Sequence, residues 1–193
     1  MLDDKQKGIS KSVIAQMIKE NKMIKPQKGS SSFFLGKAIN SLQVSRKLIE
    51  ISESADQDLN CFMWVINTSY YSMFFAATSL LAHFGHKIDS EIGIHRVTFH
   101  AMVYYFLLED KKLQKHFIEQ YKDAYDDAEQ LLQISENKAI ELLENLNFER
   151  VKRHDFTYEM GMIAERSKAK TSLKRAEEFL TEIRKIVEID GKD

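Results

Sequence analysis

Apolar residues recur three and four positions apart in one segment after another and almost nowhere alternate, so the pattern predicts helices rather than strands. The first is SVIAQMIKENKMI, where Val13, Ile14, Met17 and Ile18 share a face and the run ends before Pro26. KPQKGSSS then reads as a linker. From Phe33 to Ile51, Phe34, Ala38, Leu42, Leu48 and Ile49 fall near one face while Lys37, Arg46, Lys47 and Glu50 occupy others, giving a first core helix. After ESADQD, which offers turn and capping chemistry, a helix is predicted from about Leu59 to Phe84 and stopped by Gly85. A third begins near Gly93 and covers IHRVTFHAMVYYFLLED, apolar on most faces. In KLQKHFIEQYKDAYDDAEQLLQ, Leu113, Phe117, Tyr121, Ala124 or Tyr125, Ala128 and Leu131 form one stripe opposite an acidic face. A separate helix is expected from about Asn137 toward Arg150. After Gly161, Ala169, Leu173, Ala176, Leu180, Ile183 and Val187 alternate spacings of four and three, the signature of an antiparallel-bundle helix or of a dimer seam. The pattern predicts an all-α, up-and-down antiparallel helical bundle over residues 33–193, with residues 1–32 as an N-terminal extension and linker.

From Leu59 to Ala82 no residue is charged, long enough to raise the question of a membrane span. Asn67, Thr68, Ser69, Ser72, Thr78 and Ser79 interrupt the apolar run, so the segment reads as the central helix of a water-soluble bundle, buried on most sides. At 193 residues, 44% hydrophobic and 30% charged, the chain can bury a real core without disulfide or metal staples. Its lone Cys61 lies in the apolar run CFMWVI, which fits an inert thiol in a reducing compartment. The opening residues have no apolar core ahead of a cleavage site, and a cytoplasmic location is expected. The net charge of −1 excludes a uniformly basic nucleic-acid binder but leaves local charge to be read.

The densest group of functional side chains is ERVKRHDFTYEMG, residues 149–161. Arg150 and His154 lie four apart and share a helix face, so a guanidinium can hold a phosphate while an imidazole moves a proton. RNA cleavage needs those jobs: deprotonating a 2′-hydroxyl, stabilising charge on phosphorus and protonating the leaving oxygen. Arg150, Arg153, His154 and Tyr158 are the candidate catalytic residues and Lys152 a phosphate contact. The same residues also read as a solvated basic turn at a helix end, paired with Asp155 or Glu159. Between Phe148 and Arg175 eight Lys or Arg face four acids, whereas residues 109–149 hold eleven acids and five Lys. Such asymmetry suits RNA or nucleotide binding on one face, or head-to-tail protein contact.

In NTSYYSMFFAATSLLAHFG, residues 67–85, Tyr70 and Phe74 are four apart, as are Tyr71 and Phe75, with Asn67 one turn earlier. These read either as core aromatics or, for Asn67, Tyr70 and Tyr71, as RNA- or nucleotide-binding groups. SYYSMFFAATSLLAHFG resembles the tyrosine-pair helix of the HEPN domain, the "higher eukaryotes and prokaryotes nucleotide-binding" family. IGIHRVTFHAMVYYF is similar to that family's next helix, and ERVKRHDFTY stands where its Arg-containing motif precedes the long last helix. Arg150 and His154 have three residues between them; Arg153, Asp155 and Phe156 match the version in which an acidic-aromatic pair follows the Arg. The resemblance spans roughly residues 35–190. It implies a bundle that often dimerises around a cleft lined by the Arg motif, a metal-independent ribonuclease of toxin–antitoxin or phage-defence type, and a separate nucleotidyltransferase-type antitoxin chain. The alternative is a non-catalytic dimeric adaptor using the C-terminal stripe. His83 and His86, or His95 and His100, lack the partners of a zinc site, so no metal or cofactor is expected. Arg96 and His100 repeat the Arg150–His154 spacing, but a satisfied, partly buried His100 is the reading there.

Overall fold

The computed structural model describes residues 2–54, 59–90, 93–110, 112–145 and 155–189, giving the backbone alone for 132–145, 155–165 and 189. Helix α1 spans Asp4–Lys19, α2 Ser30–Glu53, α3 Phe62–His83, α4 Ile94–Ala101, α5 Lys115–Asn145 and α6 Asp155–Ile189. Helix α4 continues as a π-helix over Met102–Glu109. Among the described residues the strands are β1, Met23–Ile24, and β2, Lys87–Ile88, an antiparallel pair with Met23 opposite Ile88. The protein is an all-α helical bundle.

Two boundaries differ from the periodicity reading. Residues 115–145 form one helix where two were expected, because Ser135 and Asn137 each cost only a fraction of a kcal/mol in a helix interior and no proline intervenes. Helix α6 likewise runs through Gly161, since one glycine weakens a helix by about 1 kcal/mol without ending it. Gly85 does act as a stop. Its φ of 81° places it in the left-handed region, and His86 N–H reaches the Leu81 carbonyl at 2.8 Å while Gly85 N–H reaches that of Ala82 at 3.1 Å.

Helix α3 is the centre of the bundle and packs most extensively on α2 and α6. Its small residues face α2. Ser72 donates to the Ala38 carbonyl at 2.8 Å, and Ser45 donates to the Val65 carbonyl at 3.0 Å while lying 2.6 Å from Ser69 Oγ. Ser31 and Ser79 exchange hydroxyl-to-carbonyl bonds at 3.1 and 2.8 Å. Serines at these positions let two backbones approach while satisfying their own hydroxyls. Large side chains on the other faces of α3, among them Met73, Leu80 and Leu81, join the main core with Phe106, Ile118, Tyr121, Phe179 and Ile183. A second, smaller cluster gathers Phe62, Val65 and Ile66 with Leu131 and Ala169. No described helix is long and apolar enough to cross a membrane.

The C-terminal stripe is interior: Ala169, Ala176, Leu180 and Ile183 are buried, and Leu173 and Val187 pack against the core. It is a bundle face, which leaves no free dimer seam along it. Part of the charge asymmetry is paired across helices. Glu53 at the end of α2 pairs with Arg166 and Lys170 of α6 at 2.9 and 2.7 Å, and Arg175 reaches Asp127 and Asp123 of α5 at 3.0 and 3.4 Å. Arg166 and Lys170 are thus answered by an acid of α2, and Arg175 by two acids of α5.

The segment read as an N-terminal extension is built into the core. Helix α1 packs on α4 and the π-helix, Ile14 and Leu2 belong to the main cluster, and the Leu2 amide donates to Glu119 of α5 at 2.9 Å. Its apolar stripe is short, so the sequence pattern looks weaker than the burial it achieves. Replacing Ile14, fully buried, by Ala is expected to destabilise the whole bundle by about 2–5 kcal/mol in urea denaturation. A loss below about 1 kcal/mol would mean that α1 is peripheral.

Candidate functional site

Helices α3, α4 and α5 bring a cluster of ring side chains together at one corner of the bundle. Gly93, at φ 67°, caps the start of α4 in the left-handed region and sets His95 and Arg96 on its first turn. Tyr70 of α3 points inward, and its hydroxyl lies 2.7 Å from His95 Nδ1. Around it stand Tyr121 and Tyr125 of α5, with ring centroids 6.2 and 5.9 Å away, and Phe74 lies 4.2 Å from the His95 ring. Tyr125 in turn donates to Glu129 at 3.1 Å.

Burial sets the protonation of this corner. Desolvation holds His95 below the ordinary imidazole value, and His100, also burdened by the neighbouring Arg96 charge, moves the same way. Desolvation raises Tyr70 and Tyr121 well above the ordinary phenol value. A neutral His95 and a protonated Tyr70 can share one proton-bearing hydrogen bond without net charge. The Tyr121 hydroxyl is fully buried beside that of Tyr70 and, among the described residues, has no partner at good hydrogen-bond geometry.

Next to this cluster, sharing Tyr125, a cleft of about 240 Å³ opens between α1, α4 and α5. Arg96 and His100 line its α4 wall with Phe99, and Lys122 and Asp126 line its α5 wall. Gln6 and Ile9 close it from α1. Ser10 Oγ lies 3.0 Å from His100 Nδ1 and donates to the Gln6 carbonyl at 3.0 Å. With its hydroxyl proton given to Gln6, Ser10 accepts from His100, which fixes the imidazole with its proton on Nδ1 and leaves Nε2 as an acceptor. Lys122 forms an ion pair with Asp126, whereas Arg96 is exposed and forms no ion pair among the described residues.

The structure describes some of the predicted site residues and not others. Arg150, Lys152, Arg153 and His154 lie outside the described residues, and Tyr158 sits on the described backbone of α6 with its side chain outside them. Tyr70 is 5% exposed and offers no ring face to a base. Tyr71 is 44% exposed, with its ring 5.8 Å from that of His95, and is the member of the pair open to solvent. Asn67 is half-buried one turn earlier on α3. The reading of His100 as a satisfied, partly buried histidine matches its bond to Ser10. What the sequence did not reveal is that His95 joins the tyrosine pair and that Arg96 faces Lys122 and Tyr125. The i, i+4 spacing of Arg96 and His100 was the one visible signal.

Compared with known proteins, the chain matches no family model, and no curated protein aligns with it significantly.

Two outcomes test this corner. The folded values of His95 and His100 here, and of His86 stacked on Tyr105 outside the corner, lie below the ordinary 6.5, chiefly through desolvation, so the folded state binds fewer protons than the unfolded chain near that pH. Their contribution to stability is complete above pH 6.5 and is lost as pH falls below it, above the carboxylate range. Urea midpoints should therefore drop between pH 7.5 and 5.5, and the triple variant His86→Asn, His95→Asn, His100→Asn should flatten that slope. A wild-type midpoint constant over this window would contradict the assignment. Tyr121→Phe, which removes an unbonded buried hydroxyl, should leave thermal stability unchanged or raised; a loss above about 1 kcal/mol would mean that the hydroxyl is bonded.

Proposed function

We propose that the chain is a HEPN-type helical protein that associates with RNA or a nucleotide and acts in the cytoplasm as a homodimer. In this reading it is a metal-independent endoribonuclease of a toxin–antitoxin or phage-defence system, its antitoxin a separate nucleotidyltransferase-type chain. The observation that carries the reading is the position of the tyrosine-pair helix: α3 is the buried centre of an all-helical bundle and packs directly on α6, the helix into which ERVKRHDFTY leads. A helical bundle is what the family resemblance implies.

The chemistry follows from the side chains of that segment. A base such as His154 removes the proton from a ribose 2′-hydroxyl. The O2′–P bond forms as the P–O5′ bond breaks, leaving a 2′,3′-cyclic phosphate and a 5′-hydroxyl protonated by a general acid such as Tyr158. Arg150, Arg153 and Lys152 balance the charge gathering on the phosphate oxygens. Tyr71, exposed at the edge of the ring cluster, supplies a surface on which a base can stack.

A non-catalytic adaptor is the second reading, and one observation favours it. Phe33, Val44, Trp64 and Tyr71 are exposed on α2 and α3, so apolar side chains are available to a partner there even though the C-terminal stripe is interior. A single experiment separates the two. Purified protein incubated with structured and unstructured RNAs in EDTA should leave cyclic-phosphate ends, and Arg153→Ala or His154→Ala should slow cleavage by about 10²–10⁴-fold with helical content unchanged by circular dichroism. Equal cleavage by those variants, or none by the wild type on any RNA, overturns the nuclease reading.

A further inference from the structure

Nothing in the proposed RNA chemistry uses the residues that line the cleft between α1, α4 and α5. Its charges are uneven. Lys122 and Asp126 cancel as an ion pair, His100 is committed through Nδ1 to Ser10, and Arg96 is the remaining cation, exposed and without an ion pair among the described residues. The net charge lining the cleft is thus close to +1, carried by one planar, two-pronged donor. The rest of the wall is apolar: Phe99 is 7% exposed at the back, the Tyr125 ring forms a side, and Ile9, 44% exposed, stands at the rim.

From this arrangement we infer that the cleft is a binding site for a small organic carboxylate with an aromatic or compact apolar body, its carboxylate held by Arg96 and its body set against Phe99, Tyr125 and Ile9. Guanidinium and carboxylate match in geometry and form paired N–H···O bonds, whereas a dianionic phosphate brings a second negative charge toward Asp126 that no free cation answers. A volume of about 240 Å³ lies below the range typical of drug-sized ligands and suits a molecule of benzoate or phenylpropionate size. Because Gln6, Ile9 and Ser10 come from α1, an occupied cleft ties the N-terminal helix to α4 and α5.

The test is titration of the full chain with sodium benzoate, followed by ¹H–¹⁵N spectra, with phenyl phosphate and neutral benzamide as comparators. Benzoate should shift the Arg96 side-chain and Phe99 backbone signals with a Kd on the order of 1 mM, as expected for a ligand of ~9 heavy atoms. Arg96→Gln should weaken it at least about tenfold, as loss of a charged hydrogen-bonding partner does. Ile9→Trp, a substitution at the exposed rim that leaves the core intact, should block it. The inference is overturned if benzoate shifts none of these signals, if Arg96→Gln binds it equally well, or if benzamide or phenyl phosphate binds as tightly as benzoate.

Discussion

The close seam between α2 and α3 is the constraint on which the rest of the bundle depends. An uncharged helix of this length exposes too much apolar surface to stand alone in water and carries too many hydroxyls to be packed blindly. The serines resolve both problems. Ser45, Ser69, Ser72, Ser31 and Ser79 bring two backbones close and hand their protons to carbonyl oxygens or to each other, so no hydroxyl along this seam is buried at a cost. Larger residues at these positions would push the helices apart, and unbonded ones would each leave an orphan polar group.

With that face of α3 committed to α2, its bulky residues turn toward α4, α5 and α6 and form the main core. Register between the outer helices then comes from electrostatics: Glu53 holds the α6 cations Arg166 and Lys170, and Arg175 spans Asp123 and Asp127. The two cations hold Glu53 below the ordinary carboxylate range. These are exposed or partly exposed pairs, individually weak, and they select an arrangement more than they stabilise it. The same pairing removes much of the basic character that residues 166–175 show when counted alone.

The functional corner follows from the same geometry. Adjacent residues of one helix point about 100° apart, so once α3 is set, Tyr70 is driven into the core and Tyr71 to its edge. Tyr70 then needs a polar partner and finds it in His95, on the first turn of α4. Two histidines disfavoured by burial from taking a proton, His95 and His100, a cleft whose Arg96 has no ion pair among the described residues, and an exposed tyrosine all arise around α4.

The helices were legible in the sequence because apolar spacing records which face of each helix is buried, and that record is strong wherever the stripe is long. Thus α2 and the stripe of α6 could be read from Ala38, Leu42, Ala169 and Ile183 before any contact was known. The break expected near Asn137 and the weight given to Gly161 were misread because residue propensities amount to only fractions of a kcal/mol, which packing overrides. Residues 1–32 read as an extension and linker because one short stripe does not reveal what covers it. The chemistry of ERVKRHDFTY was likewise a sequence inference, carried by side-chain types within a few residues. The alliance of Tyr70 with His95, of Ser10 with His100, and of Arg96 with the cleft joins residues that are distant along the chain or pointed by tertiary packing. Sequence alone determined which segments are helical and which faces are apolar, since those depend on neighbours three and four residues away. Which apolar face meets which, and which polar groups meet as a result, was decided by the tertiary structure, because close packing must fill space and pair every buried polar group at once.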